Sequence, residues 1–456
     1  MKYYIQTLGC AMNYSDSERV ASVLQKLGFK KTENPRETDL YLFNTCSIRQ
    51  KGEDRVYGMM RNLGEWKKQN PRLKLALTGC MVRKTSTRNT EKENRDKLLG
   101  KFKMLDFVFK ITDTQRLEEI LQESEHRPFT EEESESPGRL EYLNVNPDYT
   151  NIFQAFVPIQ IGCDKFCTYC IVPYARGREQ SRDMDAILKE CAGLVEKGCR
   201  EITLVGQTVN SYGKSGIDKL HGKFAEYKDP FVELLTRVDK LGEKGLNRLR
   251  FTSPHPYDFT DSLITAHAKL KTLTPHIHLP VQAGDDRTLQ KMNRKYSVEQ
   301  YKEIIKKFRA AVPGCSVTTD IIVGFCAEKE EQFENSYRLY QDLRFDMAYI
   351  ARYSERPGTV SVKAFADDVP RAEKARRWHK LNDILEECSH EYNQSLIGKT
   401  LEVLVESHNP ETGECEGKSR ENKVVQFPGT TDLIGTVKEV KIQKALKWVV
   451  KGTSEF

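Results

Sequence analysis

The sequence predicts an α/β protein with an N-terminal open parallel βα sheet, a central partial (βα)6 barrel and a small C-terminal antiparallel β-barrel. Strand-like and helical segments alternate twice along the chain, over residues 1 to about 110 and again, on a larger scale, over about 155 to 385. After that, short strands follow one another between Pro and Gly turns. Such alternation is typical of parallel sheets, and closely spaced short strands are typical of antiparallel barrels. The 456 residues are enough for about three domains.

The first part, residues 1–115, is predicted to hold three strands separated by helices. The first helix ends at Gly28, a residue often found just beyond a helix C-terminus. The predicted segments are strands Lys2–Thr7, Asp39–Asn44 and Leu73–Thr78, and helices Ser17–Leu27 and about 52–68. An acidic stretch with a Pro-Gly pair, from Glu131 to Gly138, then predicts a linker over residues 116–150.

The second part, residues 151–388, is predicted to contain six strand–helix units with a site at the carboxyl ends of the strands. Helical patterns include Asp183–Lys197 and Val298–Ala311, and a basic helical run extends from Arg371 to about Tyr392. The predicted strands are Val157–Ile161, Glu201–Val205, Arg248–Thr252, His276–Val281, Ser316–Val323 and Tyr349–Tyr353.

The third part, residues 393–456, is predicted to be a small barrel of the oligonucleotide-binding kind. Lys438, Lys441, Lys444 and Lys447 recur every third residue and lead to Trp448, a pattern that could contact phosphates and stack on a base. A solvated face is the alternative. The predicted strands are Leu401–Glu406, Lys423–Gln426, Thr436–Ile442 and Trp448–Lys451.

Composition narrows the class of protein. Apolar residues make up 38% of the chain, and no run approaches the roughly 18 apolar residues of a membrane span. The N-terminus lacks the basic and apolar regions of a secretory signal, so we expect a cytoplasmic protein. The net charge of +6 is compatible with a polyanionic partner without demonstrating one. Twelve cysteines in a reducing compartment favour metal or catalytic sites over disulfides.

The strongest local signal is a loop with three cysteines after the first barrel strand, Gly162-Cys163-Asp-Lys-Phe-Cys167-Thr-Tyr-Cys170. Iron–sulfur clusters are held by cysteine thiolates, usually four of them. A cluster with three protein ligands keeps one iron open, and an open metal position is typical of catalysis. The alternatives are a zinc site, which usually has paired CxxC motifs and four ligands, and a chance group of core cysteines.

Three further cysteines each follow a predicted strand of the N-terminal sheet. Cys10, Cys46 and Cys80 are separated by 36 and 34 residues, about one βα unit each. Because ligands of open parallel sheets bind outside the carboxyl ends of the strands, these cysteines could share one metal centre. Three separate buried thiols are the alternative, since free cysteine is often a small core residue.

Taken together, these motifs resemble the radical S-adenosylmethionine methylthiotransferase family over nearly the whole chain, and the C-terminal barrel is similar to the family's TRAM module. Tyr169 occupies the family's aromatic position, and the cysteine strings most resemble the branch that acts on isopentenylated adenosine in tRNA. Thr208 departs from that branch, which usually has Asn, and could alter cofactor or substrate contacts. The matching strings include Cys10-Ala-Met-Asn13, Asn44-Thr-Cys46-Ser-Ile-Arg49, Gly79-Cys80, Pro173-Tyr-Ala-Arg-Gly177, Gly206-Gln-Thr-Val-Asn-Ser-Tyr-Gly213, Ser253-Pro-His-Pro256, His278-Leu-Pro-Val-Gln282 and Arg352-Tyr-Ser354.

The resemblance implies two [4Fe-4S] clusters and S-adenosyl-L-methionine. The cluster on Cys163, Cys167 and Cys170 would bind S-adenosylmethionine and split it into methionine and a 5′-deoxyadenosyl radical, which abstracts hydrogen. An auxiliary cluster on the three strand-end cysteines would deliver sulfur, and a second S-adenosylmethionine would supply the methyl group. The unactivated C–H bond of adenosine explains the need for a radical cofactor.

The implied partners are the tRNA anticodon stem-loop, an electron donor of the flavodoxin or ferredoxin type and a sulfur donor. The sequence identifies neither donor. Residues near the predicted strand ends are further candidates for contacts to S-adenosylmethionine, although residues there also position loops. These candidates, besides Tyr169, are Gln207, Ser253, Gln282, Asp320 and Arg352.

No catalytic residue is assigned beyond the cluster ligands. His255 and His278 could form a proton relay, but a hydrogen-bonded histidine at a strand end is the more common arrangement. Three other functions stay open from the sequence: methylthiolation of threonylcarbamoyladenosine in tRNA, methylthiolation of a ribosomal-protein aspartate, and a non-catalytic RNA-binding iron–sulfur sensor.

Overall fold

A parallel five-stranded sheet forms the N-terminal part of the protein. The computed structural model describes residues 1–46, 50–82, 100–123 and 140–454, so the acidic segment from Glu131 to Gly138 lies outside the described residues. The strand order is β2-β1-β3-β4-β5, with every neighbouring pair parallel. Its elements are β1 Lys2–Leu8, α1 Ala11–Lys26, β2 Lys30–Lys31, β3 Leu40–Thr45, α2 Gln50–Gln69, β4 Lys74–Gly79, β5 Phe107–Val108 and α3 Leu117–Glu123.

The three predicted strands and two predicted helices are present in the predicted order, and two short strands that were not predicted, β2 and β5, lie at the two edges of the sheet. The first helix also starts earlier than predicted. Helix α1 begins at Ala11, six residues before the predicted start at Ser17. Its first turns carry Asn13, Ser15 and Asp16, which are polar and yet fully buried. Apolar periodicity cannot detect such a turn, because its buried face is polar.

Six parallel strands form the central partial barrel, as predicted. Two three-stranded sheets, β10-β9-β6 and β11-β12-β13, meet where the backbone of Leu249 pairs with that of residues 272–274. Strands β7 and β8 form a separate antiparallel pair. The elements are β6 Gln154–Pro158, β7 Gln160–Ile161, α4 Val172–Arg176, β8 Gln180–Ser181, α5 Met184–Glu196, β9 Glu201–Val205, α6 Gly216–Leu220, α7 Pro230–Asp239, β10 Arg248–Phe251, α8 Asp261–Lys269, β11 His276–His278, α9 Asp286–Lys291, α10 Val298–Ala311, β12 Ser316–Val323, α11 Glu330–Leu343, β13 Met347–Arg352, α12 Val360–Ala364 and α13 Arg371–Gln394.

A closed five-stranded barrel ends the chain, in the order β14-β15-β16-β18-β17. All its pairings are antiparallel except that of β16 with β18, which is parallel. Strand β15 was not predicted because its charged residues, Glu414, Glu416 and Lys418, alternate with three buried residues of which only Cys415 has an apolar side chain; the other two are Gly417 and Ser419. The strands are β14 Thr400–Asn409, β15 Glu414–Ser419, β16 Val424–Pro428, β17 Val437–Ala445 and β18 Val449–Thr453.

This C-terminal barrel docks on the amino ends of the central strands. Arg248, fully buried at the start of β10, donates to the Glu402 side chain at 3.0 Å and to the backbone oxygens of Glu402 and Lys418 at 2.8 and 2.7 Å. Arg250 donates to the Ser419 oxygen at 2.8 Å. The central cysteine loop follows the carboxyl end of the first strand, so the docked C-terminal barrel does not cover that loop. In the described part of the chain, no helix combines the length and apolarity needed to cross a membrane.

Candidate active site

The strand-end cysteines lie at the carboxyl edge of three neighbouring strands. Cys10 follows β1, Cys46 follows β3 and Cys80 follows β4. The Cys46 N–H donates to the Leu8 oxygen at 2.8 Å, and the Cys80 N–H donates to the Thr45 oxygen at 2.7 Å, so the sheet ladder continues into the cysteines. The structure thus brings to one edge three residues that are distant in sequence.

A buried amide pair holds this edge together. The Asn13 side chain accepts from the Cys10 N–H at 3.2 Å and donates to the Asn44 side chain at 2.9 Å. Asn44 in turn donates to the Asn13 backbone oxygen at 2.8 Å and to the Ser17 hydroxyl at 2.9 Å. Both amides are fully buried, and buried polar groups paired in this way define one geometry. Asn13 and Asn44, which belong to the strings that resemble the family, therefore position the cysteines.

The central cysteine loop is closed at its base by the β7–β8 pair. Gly162, which begins the loop, has a φ of +79°, and a Cβ there would lie 2.1 Å from the Arg178 backbone oxygen. Only glycine fits such a conformation and approach. The Cys163 N–H donates to the Gly177 oxygen at 3.2 Å, and the Cys170 N–H donates to the Cys167 oxygen at 2.9 Å.

Two side chains from other loops reach the sulfur atoms of this loop. The Thr208 hydroxyl lies 3.2 Å from Cys163 Sγ, and Arg294 donates from Nη1 to Cys167 Sγ at 3.4 Å. Burial raises the pKa of Cys163 to about 11, although the Thr208 hydrogen bond opposes this shift. Burial, and then repulsion from the Cys167 and Cys163 thiolates, raises the pKa of Cys170.

Helix α4 connects the two cysteine sets. It begins two residues after Cys170, is about 7.5 Å long at 1.5 Å per residue, and ends at Arg176. Arg176 donates from Nη2 to Asp16 Oδ2 on helix α1 at 2.6 Å, in a pair that is almost fully buried. Desolvation by the surrounding protein raises the pKa of Cys10, although its side chain still reaches solvent, and the positive charge of Arg176 opposes this shift. Helix α4 therefore links the central cysteine loop to helix α1, which begins directly after Cys10.

In the part of the chain that the structure describes, no three Cys, His, Asp or Glu side chains are placed to hold a single metal ion. A four-iron cluster needs a different arrangement, because each thiolate binds a separate iron. The other six cysteines are all buried: Cys191, Cys199, Cys315, Cys326, Cys388 and Cys415.

The predicted cofactor contacts lie on different loops and strands of the central barrel. Tyr169 packs edge-on against Phe325, with ring centroids 6.4 Å apart. Gln207 is half-buried, and its Oε1 is buried without a hydrogen-bond partner among the described residues. Ser253 and Gln282 have φ values of +58° and +72°, which are unusual for residues other than glycine and typical of strained functional sites.

The last two predicted contacts lie on the neighbouring strands β12 and β13. Asp320 lies within β12, not at its end, and its backbone oxygen accepts from the Gln282 N–H at 2.8 Å. Arg352, at the end of β13, is exposed. The structure thus brings Gln282 and Asp320 together, whereas Arg352 lies at the rim.

The two histidines have different surroundings. His278 Nδ1 lies 2.9 Å from the Thr318 hydroxyl, and its Nε2 lies 3.4 Å from Asp320 Oδ2. His255 is buried, accepts from the Tyr257 N–H at 3.2 Å, and has a pKa that burial and then Arg294 lower. The two therefore have separate partners.

Sequence reasoning missed Arg294, Arg176 and Glu179. Glu179 is almost fully buried, receives a hydrogen bond from Ser211 at 2.6 Å and has a pKa that burial raises to about 7. Its charge also acts on Cys163. Arg294 lies 124 residues beyond Cys170 and carries no spacing signal. Arg176 lies in the string Pro173-Tyr-Ala-Arg-Gly177 and Glu179 follows it by two residues, and that string served only as evidence of the family resemblance.

The predicted lysine stripe is only partly present. Lys438 and Lys441 both lie on β17, and residues three apart on a strand point to opposite faces. Lys447 is paired with Glu386 at 2.6 Å, whereas Trp448 is 42% exposed. A spacing of three would give a single stripe on a helix, but it does not on a strand.

Three family models match the chain in succession. Residues 2–100 match Uncharacterized protein family UPF0004, residues 157–340 match the Radical SAM superfamily and residues 394–454 match the TRAM domain. Among solved structures, the chain is similar to the radical S-adenosylmethionine methyltransferase TsrM from Kitasatospora setae with cobalamin and a [4Fe-4S] cluster bound. The TM-score is 0.54 at 14% identity, covering 79% of this chain and 76% of that one, which shows a shared fold.

Curated relatives match over almost the full length. A protein from Anoxybacillus flavithermus is 40% identical over 99% of this chain and 82% of its own length. Relatives from a Thermoanaerobacter species and from Dictyoglomus thermophilum are 40% and 38% identical, over 92% and 98% of their lengths. All three are named tRNA-2-methylthio-N(6)-dimethylallyladenosine synthase. With the three family matches in this order, the chain belongs to the radical S-adenosylmethionine methylthiotransferase family, in the branch of these synthases.

Proposed function

We propose that this protein converts N6-isopentenyladenosine next to the anticodon of tRNA into its 2-methylthio derivative. Three curated relatives that match 99% of this chain carry the name of that activity. The structural observation that supports the proposal is the buried ion pair between Arg176 and Asp16. Arg176 ends helix α4, which begins two residues after Cys170, and Asp16 lies on helix α1, which begins directly after Cys10. An enzyme that activates a C–H bond and then inserts sulfur needs its two centres close together, because proximity replaces a bimolecular step.

The enzyme is a radical methylthiotransferase whose cofactors are two [4Fe-4S] clusters and S-adenosyl-L-methionine. When bound, these groups supply the one-electron chemistry, the sulfur and the methyl group. The donor sets fit them, since each provides three thiols and leaves one iron position open. We assign one cluster to Cys163, Cys167 and Cys170, and the other to Cys10, Cys46 and Cys80.

The chain's own residues hold and orient the reactants. Gly162 and the β7–β8 pair shape the central loop, and Arg294 places a positive charge beside Cys167. The Gln207 side-chain oxygen has no partner among the described residues and is a hydrogen-bond acceptor that S-adenosylmethionine could use. We also assign contacts to S-adenosylmethionine to Tyr169, Ser253, Gln282, Asp320 and Arg352.

The RNA partner is a tRNA, and we propose that the anticodon stem-loop spans the TRAM barrel and the open side of the central barrel. Trp448 on the TRAM barrel is exposed, as are Tyr349 and Arg352 on strand β13. Aromatic and basic side chains of this kind stack on bases and contact phosphates. Turnover also requires an electron donor of the flavodoxin or ferredoxin type and a sulfur donor, and we place the protein in the cytoplasm with these partners.

The test compares anticodon stem-loops that carry isopentenyl-, threonylcarbamoyl- or unmodified adenosine, with mass spectrometry of the 2-methylthio product. Burying the five prenyl carbons contributes several kcal/mol, at roughly 0.8 kcal/mol per CH2-sized group. We therefore expect strong preference for the isopentenyl substrate. Preference for the threonylcarbamoyl substrate, or equal reaction of unmodified RNA, would refute the assignment. A control without reductant should give no product from any substrate.

A further inference from the structure

Arg176 occupies an unusual position between the two cysteine sets. Its side chain is only 3% exposed, and it crosses from the barrel helix α4 to the N-terminal helix α1. Asp16 accepts from Nη2 at 2.6 Å, and the Tyr142 hydroxyl donates to the other Asp16 oxygen at 3.2 Å. The guanidinium is thus fixed on one side by a carboxylate that is itself held in place.

The other side of the guanidinium is unsatisfied. Arg176 Nη1 is buried and has no hydrogen-bond partner among the residues that the structure describes. A buried donor left without a partner costs about 1–3 kcal/mol, and more when it is charged, so such groups usually have a ligand. Asp16, which holds Arg176, lies on helix α1, and that helix begins directly after Cys10, so the strand-end cysteine sulfurs are the candidate acceptors on this side of the guanidinium. The Arg176 charge also acts on Cys10 and Cys80.

We propose that Arg176 is a positioning residue whose Nη1–H donates to sulfur at the site formed by Cys10, Cys46 and Cys80. This inference rests on the proposed assignment of these cysteines to the auxiliary cluster. Hydrogen bonds to cluster sulfur and nearby charge both set the reduction potential of iron–sulfur clusters. A fixed positive charge stabilises the reduced, more negative cluster and therefore makes the reduction potential less negative.

The experiment uses the full-length chain with Cys163, Cys167 and Cys170 replaced by Ala, so that only the auxiliary cluster remains. Iron content and the midpoint potential, from an EPR-monitored redox titration, are measured without any turnover. Arg176→Gln should retain the iron but shift the potential to a more negative value. Arg176→Lys keeps the charge and should lie between Arg176→Gln and the parent.

Two further variants separate this role from domain docking. Arg19→Gln is the matched control, because Arg19 is also fully buried and also crosses between the domains, to Glu190 at 3.0 Å. It should leave the potential unchanged. Asp16→Asn removes the carboxylate and keeps the guanidinium, so the potential should become less negative, opposite to Arg176→Gln.

An unchanged potential in iron-replete Arg176→Gln, or an equal shift in Arg19→Gln, would overturn the inference about Arg176 and leave the ligand assignment intact. A parent protein without iron would instead refute the ligand assignment, and the inference with it. If Arg176→Gln does not retain iron, the other two variants decide. A more negative potential in Arg176→Lys together with a less negative potential in Asp16→Asn supports the role, and any other pattern overturns it.

Discussion

Replacing Arg248 with Met should loosen the junction between the central barrel and the TRAM barrel. The change removes the ion pair with Glu402 and two hydrogen bonds to the backbone oxygens of Glu402 and Lys418. Breaking a buried ion pair costs about 3–5 kcal/mol. Because the Glu402 side chain is 32% exposed and can be hydrated, we expect the lower end, about 3 kcal/mol. Glu201 keeps its ion pair with Arg250 at 2.9 Å, so it adds little to the free-energy cost of the Arg248→Met substitution.

Hydrogen exchange measures this effect directly. At about 1.4 kcal/mol per tenfold change, 3 kcal/mol corresponds to roughly a hundredfold faster opening of the junction. We expect faster amide exchange in β14 and β15, with little change around the central cysteine loop at the other end of the barrel. Arg237→Met is the control, since Arg237 forms an (i, i+4) pair with Glu233 at the surface. Such pairs contribute only about 0.3–0.5 kcal/mol.

The result that would refute this reasoning is equal exchange in β14 and β15 for Arg248→Met and the wild type. An equal acceleration in Arg237→Met would refute it as well. If tRNA bridges the two barrels as proposed, Arg248→Met should also reduce methylthiolation more than cleavage of S-adenosylmethionine.

Three other predictions follow from the cysteine sets and the buried carboxylates. Reconstituted protein should bind about eight irons; replacing the three central cysteines with Ala should leave about four, and unchanged iron content would contradict the assignment. Replacing the three strand-end cysteines should abolish the methylthio product while 5′-deoxyadenosine still forms, and complete loss of cleavage in folded protein would argue against the division of labour. Burial raises the pKa of Glu18 from 4.5 to about 7. Between these two pH values the folded state keeps a proton that the unfolded state has released, so the contribution of this carboxyl makes the free energy of unfolding fall as pH rises from about 4.5 to 7. Glu18→Gln should remove that part of the pH dependence in denaturant titrations, and identical pH profiles would show that Glu18 does not titrate in this way.

Much of the fold was accessible from the sequence because it depends on local patterns. Strand–helix alternation predicted the parallel sheet and the six-unit barrel, and turn residues between short strands predicted the C-terminal barrel. Elements whose buried face is polar were missed or shortened, such as the first turns of α1 with Asn13 and Asp16. Strand β15 was missed for a related reason, because its charged residues alternate with few apolar ones.

The sequence by itself determined which cysteines are candidates and at which strand ends they lie, because a three-cysteine loop and a strand-length repeat are local features of the chain. Only the tertiary structure decided what surrounds their sulfur atoms. Thr208 reaches Cys163 from 45 residues away, Arg294 reaches Cys167 from 127 residues away, and Arg176 is held by Asp16 across two domains. The physical reason is that charge and hydrogen bonding at a metal site act through space over a few ångströms, and separation along the chain says nothing about such distances until the strands have paired.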